Sequence, residues 1–137
     1  MTLVRPNTFL KRALIADAIV SGAVALAQLS APGLIAQWTG LAPALLLGTG
    51  VFLVGYVALL ATLASRSQLL AAWLWFVIAG NVAWAAGALL VIETSGLPGL
   101  GIAFAAVHAL AVLSFAALEY QGLRTSARES TGFARSS

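Results

Sequence analysis

Eight side chains could do chemistry within an otherwise apolar chain: Asp17, Ser21, Gln28, Tyr56, Asn81, Trp84, His108 and Glu119. Asp17, Ser21 and Gln28 fall at i, i+4 and i+11, so they share one face of a helix. Asp17 lies five residues beyond Arg12, about 8 Å along a helix axis. Glu119 mirrors it, five residues before Arg124, with His108 three turns away on the same face. Thr49 and Tyr56 share a face at i, i+7, and Asn81 and Trp84 lie one turn apart.

Two carboxyls at one depth can hold a proton between them and couple to its movement. Asp17 and Glu119 would form an inner level of such a path, with His108, Asn81 and Tyr56 as a middle level. Trp84 could line a cavity and stack on a flat or cationic ligand. Each residue also has a structural reading. Asp17 could bond a Ser or Trp of a neighbouring helix, or meet a Lys or Arg that snorkels to the interface. Glu119 is close enough to the membrane edge to be solvated. Asn81 and His108 could serve as helix-to-helix hydrogen bonds, about 0.6 kcal/mol each. Trp84 could simply pack. One histidine and no cysteine give no basis for a metal site or a haem, and no cofactor is expected.

These groups need apolar elements to hold them. Of the 137 residues 61% are hydrophobic and 8% charged, against about 25% charged in a soluble domain. No charge lies between Asp17 and Arg66, between Arg66 and Glu93, or between Glu93 and Glu119. Uncharged apolar stretches of ~18 residues or more are transmembrane candidates. The predicted class is all-α: an integral membrane bundle of four transmembrane helices in contact with the lipid bilayer. The spans are placed at about 9–29, 43–64, 69–92 and 98–121. Asn7 is positioned to cap the first, Pro43 suits the first turn of the second, Pro98 opens the fourth and Gly122 can close it.

Arg5, Lys11 and Arg12 precede the first span, Arg66 separates the second and third, and Arg124, Arg128 and Arg135 follow the fourth. All seven basic residues fall on one side, which the positive-inside rule makes cytoplasmic, with both termini inside. The pI near 10.2 therefore reflects topology, and no nucleic-acid partner is expected. The first segment also has the basic start, apolar middle and small residues ("ALAQ") of a signal peptide, but Asp17 inside the apolar run argues for a retained span.

The loop "SAPGLIAQWTGLAP" (30–43) is expected to form a short interfacial helix with Trp38 at headgroup level. "ETSGLPG" (93–99) is a turn, and residues 124–137 form a polar tail expected to be cytoplasmic and disordered. Trp73 and Trp75 suit an aromatic belt. Ala79, Ala83 and Gly87 form a small-residue ladder, and Gly48 and Gly55 notch the second span. Such ladders allow close helix approach, within a chain or between copies.

Through "DAIVSGAVAL", "VIAGNVAWAAGALL" and "HALAVLSFAALEYQGLR", residues 14–124 resemble small four-helix inner-membrane proteins of bacteria. That resemblance implies architecture and a bacterial inner-membrane location, and it implies no activity. In length, span number and a single acid in the first helix, the chain is also similar in layout to small multidrug resistance transporters. Asp17 would take the place of their embedded acid. That family uses a glutamate there, and the one-sided charge of this chain departs from dual-topology assembly.

No phosphate loop, nucleophile elbow or metal cluster is present, so no enzymatic activity is expected. Two functions remain open. One is a non-catalytic accessory or assembly component, packing against other membrane proteins or lipids in a larger membrane complex. The other is a proton-linked small-molecule or ion transporter, a homo-oligomer with Asp17 as the proton and substrate site. A chain this short needs oligomerisation to build an alternating path.

Overall fold

The computed structural model describes the backbone of residues 2–136 and the side chains of residues 2–132. The elements, in chain order, are β1 (Leu3–Val4), α1 (Thr8–Ser30), α2 (Pro32–Thr39), α3 (Pro43–Ser65), β2 (Leu69–Leu70), α4 (Ala71–Thr94) and α5 (Gly99–Ser136). Four of them (α1, α3, α4 and α5) are long and apolar enough to cross a membrane. The fold is an all-α bundle of four spans, with one two-residue ribbon added.

The local signals act as their chemistry dictates. Asn7 caps α1, its Oδ1 accepting from the Leu10 amide at 2.9 Å. Pro43 lies in the first turn of α3, where its missing N–H costs nothing. Helix α2 is the short helix expected in the 30–43 loop, and Trp38 on it is exposed.

α1 packs chiefly on α3, and α4 on α5, while α1 against α5 joins the two pairs. At one end Leu3 and Val4 pair antiparallel with Leu70 and Leu69, and the Ala71 amide donates to the Thr2 carbonyl. The main core, including Leu10, Leu14, Leu60, Leu74 and Val77, lies at this end. The segments bearing Arg5, Lys11, Arg12, Arg66, Arg124 and Arg128 collect here too. Arg135 lies outside the residues with described side chains. At the opposite end α2 sits against the start of α5, where a Cβ on Gly40 would meet Pro98.

Two local expectations are corrected. Gly122 does not end the fourth span. α5 runs through it, and Gly122 is buried against Leu10, whose Cβ lies 2.9 Å from where a Cβ of residue 122 would be. The residue serves close helix approach instead of a left-handed cap. Nor does the chain become irregular at 124: helix continues to Ser136. It is tied down by the Asn7 amide donating to Ser126 Oγ at 3.0 Å, and by Asn7 Nδ2 donating to Thr125 Oγ1 and Glu129 Oε1.

Candidate functional site

The polar stripe of α1 faces the interior, with Asp17, Ser21 and Gln28 all buried. Helix α3 presents a matching pair in antiparallel register. Tyr56 donates to Asp17 Oδ2 at 2.9 Å, and Thr49 Oγ1 donates to Gln28 Oε1 at 3.0 Å. Ser21 Oγ completes the Asp17 shell, donating to Oδ1 at 2.8 Å from one turn along α1.

Asn81 joins the two helix pairs. Its Nδ2 donates to Asp17 Oδ2 at 3.0 Å and to Glu119 Oε2 at 3.1 Å. One amide nitrogen thus holds carboxyls from α1 and α5 within two hydrogen-bond lengths of each other. Asp17 is 0% and Glu119 1% exposed. The solvated Glu119 considered from sequence is therefore corrected: the start of α1 closes over this part of α5, with Leu10 on Gly122. Glu119 Oε1 is buried and has no hydrogen-bond partner. Among the described residues the hydrogen-bond partners of both carboxyls are neutral: Ser21, Tyr56 and Asn81.

The structure regroups the two levels expected from sequence. Tyr56 and Asn81 belong with the carboxyls, while His108 belongs with Trp84. Trp84 Nε1 donates to His108 Nε2 at 3.0 Å, and the rings stack at 6.0 Å. Phe52 also stacks on Trp84, with ring centroids 5.4 Å apart. Between the groups lies a cavity of about 60 Å³, bordered by Ser21, Tyr56, Asn81, Trp84 and His108. A water needs roughly 10–15 Å³ of such space and polar partners, so this cavity can hold water.

Two larger apolar clefts reach the same histidine. One, of about 480 Å³, runs between α1, α2 and α5 past Trp38 and Phe104. The other, of about 450 Å³, lies between α3, α4 and α5 and is walled by Phe52, Trp84 and Phe104, with Gln28 and Thr49 at its edge. Among the described residues no cluster of His, Cys, Asp and Glu could hold a metal ion.

The α1 stripe was visible in the 3.6-residue period. The double bridge by Asn81 and the Gln28–Thr49 bond were not anticipated, since both depend on register between helices. The i, i+7 spacing of Thr49 and Tyr56 on α3, read against Gln28 and Asp17 eleven apart on α1, was the available signal. Comparison with protein-family models, curated proteins and solved structures gives no match for this chain.

Proposed function

We propose that this chain is a non-catalytic, proton-linked carrier of small molecules, working as a homo-oligomer, with Asp17 and Glu119 as its proton site. The observation that carries the reading is a buried acid pair with neutral hydrogen-bond partners and one unpartnered carboxyl oxygen. Two carboxylate charges this close in a low-dielectric interior repel strongly, and a proton shared between them removes one. Packing alone gives no reason for two acids here, because well-packed apolar residues of similar volume often stabilise as much or more. The small cavity continues the polar chain from the acids to His108, which also lines both larger clefts. The membrane is the bacterial inner membrane, and the basic end faces the cytoplasm.

The test is infrared difference spectroscopy between mildly acidic and mildly alkaline buffer. A protonated-carboxyl band should come and go in the wild type and vanish in Asp17→Asn/Glu119→Gln. A wild type without that band, or a double variant that keeps it, sinks the proton site.

A second reading, an accessory subunit in a larger complex, is favoured by the small residues. Ala79, Ala83 and Gly87 are exposed, and a Cβ at Gly48, Gly55, Gly80 or Gly87 would meet nothing within 4 Å. Close helix approach is thus unused at these positions of α3 and α4. Native mass spectrometry of gently extracted protein separates the two: a discrete homo-oligomer supports the carrier, and a mass containing other polypeptides supports the subunit.

A further inference from the structure

The cleft between α3, α4 and α5 carries two hydrogen-bond donors that the fold leaves unused. Gln28 lines it and is only 4% exposed. Thr49 Oγ1 lies 3.0 Å from the Gln28 amide and 2.8 Å from the Leu45 carbonyl, and its one proton can serve only one of them. Whether Gln28 accepts from Thr49 or donates to it, Nε2 keeps at least one N–H with no acceptor among the described residues. His108 lines the same cleft. Because Nε2 of His108 accepts from Trp84, the neutral ring carries its proton on Nδ1, and Nδ1 also lacks an acceptor among the described residues. A donor left unpaired in a nearly dry site costs free energy that a bound acceptor recovers. Around these donors the walls are apolar and aromatic, with Phe52, Trp84 and Phe104 contributing rings and Gly80, Ala83 and Gly87 leaving room. The volume, about 450 Å³, is within the usual range of small-molecule sites, roughly 300–1,000 Å³.

We infer that this cleft binds a neutral, lipid-soluble carbonyl compound, its apolar body against the Phe52–Trp84 wall and its oxygen accepting from Gln28 Nε2 and His108 Nδ1. An anion does not suit it, since neither donor is cationic and the carboxyl pair lies beyond the adjoining small cavity. A hydrocarbon would fill the volume but leave both donors unpaired. As cargo of the proposed carrier the compound rests on the proton-linked reading; as a bound ligand it stands on Gln28 and His108 alone. The carbonyl could belong to a free small molecule or to a lipid acyl ester, which present the same acceptor.

The test uses two near-isosteric compounds, benzophenone and diphenylmethane, with the full chain in nanodiscs and with binding corrected for partition into empty discs. Benzophenone should bind roughly tenfold tighter, the ratio expected from one well-made buried hydrogen bond. Gln28→Met and His108→Phe should each lower that preference severalfold, and Thr49→Val should lower it by releasing the Gln28 amide. Illumination should insert benzophenone into residues 41–52, at the start of α3 and just before it, or into α4 between 80 and 91. Equal affinity for the two compounds in the folded wild type overturns the proposal without any variant. So does insertion confined to α2 around Trp38. Discs of ether-linked lipid, which lack acyl carbonyls, separate the sources. Unchanged affinity there assigns the cleft to a free molecule, and tighter binding assigns it to a displaced lipid ester. Benzophenone preference without the infrared proton band keeps this site and removes the carrier; the band without the preference does the reverse.

Discussion

Asn81 is the residue on which the acid pair depends. Its single Nδ2 serves two helices, so Asn81→Leu strips Glu119 of its hydrogen-bond donor and leaves Asp17 with Tyr56 and Ser21. Each unpaired buried group costs about 1–3 kcal/mol, and thermal unfolding in detergent should shift down accordingly. Asp17→Asn should be far milder. An amide there can keep its oxygen where Oδ2 accepts from Tyr56 and Asn81, and turn its nitrogen toward Ser21 Oγ. Glu119→Gln likewise keeps the acceptor for Asn81 and puts a donor where Oε1 has no partner. Both single variants should unfold within about 1 kcal/mol of wild type, and since each keeps one buried carboxyl, the protonated-carboxyl band should be lost only when the two are combined. An Asn81→Leu protein as stable as wild type would show that the bridge is not a structural bond. From sequence, the rarity of acids in apolar runs was enough to single out Asp17 and Glu119, and periodicity was enough to turn Asp17 inward. That Asn81 meets both was not legible, because periodicity orients a residue on its own helix and says nothing of the height of the neighbour.

The helices were read closely where short-range chemistry sets their ends: Asn7 as cap, Pro43 in a first turn, α2 between breakers. The misread glycine shows the limit. Gly122 looks like a stop signal when only the chain around it is visible, and its use is decided by Leu10, more than a hundred residues away. Gly101 is the counterpart at the other end, where an added Cβ would overlap the Thr39 backbone carbonyl oxygen. Gly122→Val should lower stability by roughly 1–3 kcal/mol, the usual effect of overpacking, because α1 cannot withdraw while Asn7 holds it to α5. Gly101→Ala should act locally, lifting α2 from α5 and speeding hydrogen exchange in the amides of 32–39 while exchange at the basic end stays slow. If α2 exchange is unaltered in Gly101→Ala, the α2–α5 seat is not held by that close approach.

At the scale of the whole molecule, the two helix pairs are joined most firmly at the basic end, where the β1–β2 ribbon, the Asn7 contacts and the main core all lie. Toward the other end both large clefts open between elements of different pairs. The acid pair sits where α1 of one pair and α5 of the other are bridged through Asn81 on α4, so in the proposed carrier a change in its charge would act on a contact between the pairs. For such a device the two ends must face different compartments. Composition supplies that expectation, because all seven Lys and Arg fall in or beside three of the five inter-span and terminal segments. The chain has no cysteine, so single cysteines report without background. Cysteine at Ser67 in the α3–α4 loop, or at the exposed Thr131 of α5, should react with a membrane-impermeant maleimide only after the cytoplasmic face is opened. Cysteine at Gln37 or Ser95 should react from outside in intact cells. Labelling of Ser67 and Ser95 variants from the same side would break the four-span crossing itself, whereas a uniform inversion would keep the bundle and place its clefts toward the cytoplasm.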